Sequence, residues 1–171
     1  ELLRAEGAPT HIVDWQVDWT NQVIAAAASD AERAAVDEQI RSIMAAAAAN
    51  APAAMQSSVT EEGIDGIVAA YTDPWMRHFL AYDPRPALAA LDIPVLATIG
   101  TLDLQVSATD NLPEIEAILA DNVDATVVAM DGLNHLFQTA ATGAVSEYGA
   151  IDETMSPAVL DLVAGWIIDR F

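Results

Sequence analysis

Before Asp92, apolar residues recur at helical spacing; after it they gather into short unbroken runs, and the two patterns predict different architectures. Ile12, Trp15, Trp19 and Val23 fall on one face of a helix that ends near Ser29-Asp30. Ser29-x-x-Glu32 has the form of a capping box, which predicts a second helix with Val36, Ile40, Ile43 and Met44 as its apolar face. The two helices are expected to form a hairpin. Asn50 to Ser58 reads as a loop or frayed linker. Thr60 followed by Glu61 and Glu62 predicts a third helix through Ala70, and Asp73-Pro74 a short one from Trp75 to Tyr82. Asp83-Pro84-Arg85-Pro86 then interrupts the pattern before a helical turn at Ala87 to Leu91.

In the second part, Ile93 to Ile99 is apolar without alternation, the pattern of a strand covered on both faces, and Gly100 ends it. Asn111-Leu-Pro-Glu114 predicts the start of a helix running to about Asp121. Ala125 to Met130 is the next strand. Ser156-Pro157 caps a last helix with Leu160, Val163 and Ile167 as its stripe. The order strand, helix, strand, helix implies parallel pairing. Two strands alone make a marginal sheet, so further strands are expected from an absent segment or from another copy of the chain.

Composition narrows the functional classes. The 171 residues are 53% hydrophobic, enough to bury a core and too apolar for a disordered chain. Cysteine is absent, which removes disulfides and thiolate chemistry. No run approaches the roughly 18 apolar residues of a membrane span, so no spanning helix is expected. The chain opens at Glu1 rather than Met and without a basic and apolar leader, the mark of a cleaved, trimmed or truncated product. Its 26 acidic residues face six arginines and no lysine, a net charge of −20 that repels phosphate backbones and anionic headgroups. Neither nucleic acid nor a membrane is therefore an expected partner. Such a surface suits high salt, where counter-ions screen self-repulsion; a genome that favours Ala and Arg over Lys gives the same composition.

Open parallel sheets bind their ligands at the carboxyl ends of the strands, and each predicted strand is followed by one acid-base residue. Asp103 follows the first and His135 the second. An Asp in that position is ordinarily a turn residue, and a lone His is ordinarily structural. The two together, acid then base, make up two members of a serine-hydrolase triad, in which the carboxylate holds the imidazole that takes the nucleophile's proton. The third member is missing, for no Gly-x-Ser-x-Gly occurs. Ser29 and Ser156 read as helix caps, Ser57 and Ser58 lie in a polar loop and Ser42 in a helix; Ser107 lacks flanking glycines, and Ser146 lies in a loop. Trp75, Met76 and Phe79 are candidates to line an acyl pocket, although aromatics at that spacing are more often core. His11 and His78 read as structural. No His-x-x-x-His or Glu-x-x-His pattern and no phosphate-binding glycine loop is present, so neither a metal nor a cofactor is expected.

Three stretches carry a resemblance: Trp75-Met-Arg-His-Phe-Leu-Ala-Tyr-Asp-Pro84, Ile93-Pro-Val-Leu-Ala-Thr-Ile-Gly-Thr-Leu-Asp-Leu-Gln-Val106, and Gly132-Leu-Asn-His-Leu-Phe-Gln138 with Glu147-Tyr148. Together they resemble the C-terminal half of α/β-hydrolases, nearest to bacterial carboxylesterase-type serine hydrolases. The resemblance implies a partial α/β-hydrolase fold: a helical cap over residues 1–72, then residues 73–171 as the last two parallel strands with flanking helices. It makes Asp103 the triad acid and His135 the triad base, with Trp75, Met76 and Phe79 facing an ester or related acyl substrate. The early strands, the oxyanion loop and the nucleophile elbow would precede residue 1. The implied partner is thus a missing N-terminal half or a second copy of the chain, and the chain alone is expected to be nearly inactive. A non-catalytic fragment or pseudo-enzyme that self-associates is the alternative.

Overall fold

A computed structural model describes residues 2–170. Their contacts separate into two units, Ala8–Asp83 and a second built from residues 2–7 with 84–170. In chain order the elements are α1 (Leu2–Ala5), α2 (Thr10–Ala27), α3 (Arg33–Ala49), α4 (Glu61–Tyr71), α5 (Pro74–Ala81), α6 (Arg85–Ala89), β1 (Val95–Gly100), α7 (Ala108–Ile118), β2 (Ala125–Met130) and α8 (Pro157–Ile168). Short 3-10 turns occupy Gln56–Ser58 and Val145–Ala150. The chain is thus mixed α/β, with its described strands in one two-stranded parallel sheet. None of the described helices is long and apolar enough to cross a membrane.

The unit Ala8–Asp83 is all helical. Its core is Val23 and Ala26 of α2, Val36, Ile40 and Met44 of α3, and Val68 of α4, with Trp19, Ile43, Ile64, Ile67 and Tyr71 packed around it. The apolar stripes of the sequence therefore meet as expected. Thr60 caps α4 by accepting from the Gly63 N–H, and Asp73 caps α5 by accepting from Trp75 and Met76. The expected boundary at residues 72 and 73 falls inside this unit, because α5 packs on α2 and α4.

The capping box does not form. α3 begins at Arg33, with Glu32 in the capping position and no side-chain cap. The Ser29 hydroxyl instead turns back to donate to the Ala26 carbonyl at 2.7 Å, closing α2. Arg77 of α5 holds that turn: Nε donates to Ala27 O at 3.2 Å, and one terminal nitrogen to Ser29 O and Ala31 O at 2.7 Å each. A planar guanidinium among carbonyls at a helix C-terminus satisfies acceptors that the helix leaves open and complements its dipole.

In the second unit β1 and β2 pair in register from Val95 with Ala125 to Gly100 with Met130. α7 packs against both strands. It starts at Ala108 rather than near Asn111, because Ser107 accepts from the Asp110 N–H as its cap, and Pro113 is accommodated inside the helix. α8 is fastened to β2 by Trp166, whose Nε1 donates to Thr126 Oγ1 at 3.1 Å. Arg170 adds two bonds to Asp124 Oδ1, at 2.9 and 2.7 Å. Asn122 ties the approach to β2 to the approach to β1 by donating to Leu91 O and Ile93 O.

The sheet is less covered than the unbroken apolar run of residues 93–99 predicts. Val95 to Ile99 are only half-buried, and Ile93 is exposed. Two strands leave a single covering helix to span each face, and beside α8 an open groove of about 450 Å³ remains, lined by Pro94, Val95, Leu96, Thr98, Val163 and Trp166. Leu160, Ile167 and Ile168 of α8 are likewise exposed.

Replacing Arg77 by Ala should destabilise the helical unit by about 1–3 kcal/mol, since it strips a charged donor from three carbonyls. Arg77→Lys should recover only part of this, because an ammonium lacks the fork. Chemical denaturation followed by far-UV circular dichroism measures both; full recovery by Lys would show that charge alone matters.

Candidate active site

Both strands end where the two following loops cross. Beyond Gly100, the Thr101 N–H donates to Met130 O and the Leu102 N–H to Leu133 O, each at 2.9 Å, so the acid-bearing loop is laced to the base-bearing one. A side chain on Gly100 would collide with the Leu133 carbonyl, which makes glycine obligatory there. Thr101 adds a side-chain tie: its hydroxyl accepts from the Gly132 N–H at 2.8 Å and donates to Asp131 at 3.3 Å.

Asp103 is buried, its side chain 7% exposed. Its Oδ1 accepts from the N–H groups of Gln105 and Val106 at 2.9 and 2.8 Å, a local turn that Asp residues favour. Its Oδ2 lies 2.9 Å from His135 Nδ1. The two oxygens thus have separate work, one shaping the loop and the other meeting the imidazole. A carboxylate at that distance accepts a proton held on Nδ1 and leaves Nε2 with a free lone pair. The imidazole is 38% exposed, so part of the ring faces solvent.

His135 sits at the tip of a loop closed by Phe137 N–H donating to Asn134 O at 2.9 Å, with Phe137 at φ 56°. Asn134 is fully buried beneath it. Its Oδ1 accepts from the Leu136 and Gln138 N–H groups at 3.0 Å each, and its Nδ2 donates to Gln138 Oε1 at 3.1 Å. Gln138 passes the restraint on, donating to Glu153 O at 2.9 Å. Asn134 and Glu147 lie in stretches that carry the resemblance, but nothing in the sequence assigns either of them, or Glu153, the part of a loop brace, for a polar residue beside a histidine has no pattern of its own.

Glu147 and Glu153 anchor the rest of the loop. Glu153 accepts from the Thr139 N–H and hydroxyl at 2.9 and 3.1 Å. Glu147 accepts from the backbone N–H groups of Ala141, Thr142 and Gly143. Desolvation works to raise the Glu147 carboxyl, but these N–H groups and the Thr142 hydroxyl outweigh it and hold it below its ordinary value of 4.5. Gly143 has φ 79°, and a side chain there would strike the Leu102 carbonyl of the acid-bearing loop. Tyr148 closes the ring by accepting from Gln105 Nε2 at 3.2 Å.

Trp75, Met76 and Phe79 belong to the helical unit, on α5. Trp75 and Phe79 stack with centroids 5.4 Å apart and planes 10° apart, and they are 66% and 61% exposed, so they are not core residues of that unit. Met76 is half-buried. No serine hydroxyl among the described residues bonds to His135; Ser107 and Ser156 cap helices, and Ser29 and Ser58 donate to local carbonyls. Among the described residues no group of three His, Asp or Glu side chains could hold a metal ion. Comparison of the chain with family models, with curated proteins and with solved structures finds no match.

Asp103→Asn should keep the loop and invert the imidazole. The amide oxygen can still accept from Gln105 and Val106, while its N–H₂ donates to Nδ1 and forces the ring proton onto Nε2. Imidazole ¹⁵N shifts report the tautomer, and an unchanged Nδ1–H form would contradict the assignment. A carboxyl held low in the folded state stabilises above its unfolded value and loses that contribution as pH falls through the folded value. The amide signals of Thr142 and Gly143 should therefore stay constant from neutral pH to about 4.5 and move only below it. Glu147→Gln should show the loosened signals already at neutral pH.

Proposed function

We propose that the chain carries the acid and base of an α/β-hydrolase-type serine hydrolase that cleaves carboxylic esters or related acyl compounds. The nucleophilic serine would come from outside residues 1–171. The observation that supports this most strongly is the 2.9 Å contact between Asp103 Oδ2 and His135 Nδ1, with the carboxylate buried and the imidazole half exposed. In this reading His135 Nε2 takes the proton of the serine hydroxyl as its oxygen attacks the acyl carbon. It then gives that proton to the departing alcohol, and repeats the cycle with water to release the acid. Asp103 fixes the tautomer and stabilises the imidazolium.

A second reading, a non-catalytic part that pairs with another copy or a companion chain, draws on the open sheet flank. The groove beside α8 and the exposed Leu160, Ile167 and Ile168 are apolar surface of the kind that association covers.

A fluorophosphonate probe and a short-chain aryl ester test both readings, applied to the chain alone and together with the polypeptide encoded immediately upstream. The expected result is no labelling of the chain alone, labelling of the upstream partner in the mixture, and a loss of at least about a thousandfold in turnover with His135→Ala. Labelling of the isolated chain would place a nucleophile within it. A mixture that associates but neither labels nor turns over ester would favour the non-catalytic reading.

A further inference from the structure

The helical unit holds a second candidate site, remote in composition from the acid–base pair. A cavity of about 140 Å³ opens between α2, α3, α4 and the segment leading into α4, walled by Trp15, Trp19, Met44, Met55, Ile64 and Ile67. Of its polar neighbours Trp15, Ser58 and Thr60 are already engaged, and Gln16 adds one amide side chain to the lining. Trp15 Nε1 donates to Ala47 O at 3.0 Å, the Ser58 hydroxyl donates to Met55 O at 2.7 Å, and Thr60 Oγ1 accepts from the Gly63 N–H at 3.1 Å. No charged side chain lines the space. What it offers a ligand is chiefly ring, thioether and methyl surface beside the Gln16 amide, with no charge to pair an ion.

Size and one polar atom narrow the ligand further. An apolar cavity of roughly 150 Å³ takes one benzene-sized molecule, so a single six-membered ring with a small substituent fits. Trp19 Nε1 is buried, and among the described residues it has no acceptor. An N–H in that condition costs free energy until an acceptor reaches it. Trp15 meets Trp19 edge to face, with centroids 6.2 Å apart, and so limits how far the indole can turn. Methionine side chains are the most adaptable in such a wall, and Met44 and Met55 give it the freedom to admit a guest.

We propose that this cavity binds a small, uncharged, monocyclic aromatic compound bearing a carbonyl or ether oxygen, the ring against the methionines and Ile64, and the oxygen accepting from Trp19 Nε1–H. The N–H is covered and the indole is held by Trp15, so the acceptor reaches it through a small shift of the methionines. Such a site stands whether or not the chain takes part in ester cleavage.

Acetophenone and its hydrocarbon isostere α-methylstyrene form a matched pair of probes. Titrated into the full chain with labelled Met and Ile methyl groups, acetophenone should move the Met44, Met55, Ile64 and Ile67 signals and the Trp19 indole N–H saturably. It should bind about fivefold more tightly than α-methylstyrene, the worth of one hydrogen bond. Trp19→Phe should abolish that preference while both compounds still bind, and Ile64→Phe, which fills the space, should abolish both, with circular dichroism checking the fold. Absence of saturable shifts up to the solubility limit, shifts confined to the other unit, or equal affinity for the two compounds would each overturn the proposal on the unmodified chain alone.

Discussion

The carbonyl of Leu133 occupies the space that a side chain on Gly100 would need, and the geometry of the acid–base pair depends on that closeness. It brings the loops after β1 and β2 within hydrogen-bonding distance of each other directly beyond the sheet. Gly143 repeats the arrangement further along the loop after β2, where its left-handed backbone lets it lie on the Leu102 carbonyl. The loop after β1 and two parts of the loop after β2 thus converge on Leu102, one residue before the acid. A side chain at either glycine would separate segments whose register sets where Asp103 and His135 meet.

The carboxylates help explain how a chain of net charge −20 folds. Several of them are acceptors rather than solvated surface. Asp73 caps a helix, Asp103 and Glu147 gather backbone N–H groups, Glu153 holds Thr139, and Asp124 receives Arg170. An anion that accepts several N–H bonds is stabilised without a cation, so scarcity of basic residues does not leave these groups uncompensated. The few arginines are placed where a fork has several acceptors: Arg77 among three carbonyls and Arg170 between Asp124 and the Trp166 ring.

Much of this was legible in the sequence wherever one local rule acts. The apolar stripes around Val23, Ile40 and Met44, the Pro-led starts of α5 and α8, and the span of β2 follow from spacing and capping chemistry. So does the placement of Asp103 and His135 beyond the strands. What was not legible depends on partners far along the chain. Ser29 fails to open α3 because Arg77, from α5, holds the turn in another shape. Ser107 rather than Asn111 starts α7, since a proline well inside a helix resembles one at its beginning. Asn134 looks like any polar residue beside a histidine until Gln138 and Glu153 are in place around it.

The cross-bracing around His135 also bears on assembly. Within one unit Asp103 holds the ring at Nδ1, the Asn134 network holds the loop that carries it, and Glu153 and Glu147 tie down the segment from Thr139 to Gly143. The conformational freedom of this loop is therefore lost on folding, without help from a second chain. The orientation of the ring at Nδ1 is thus a property of the folded unit itself, fixed by the chain's own carboxylate.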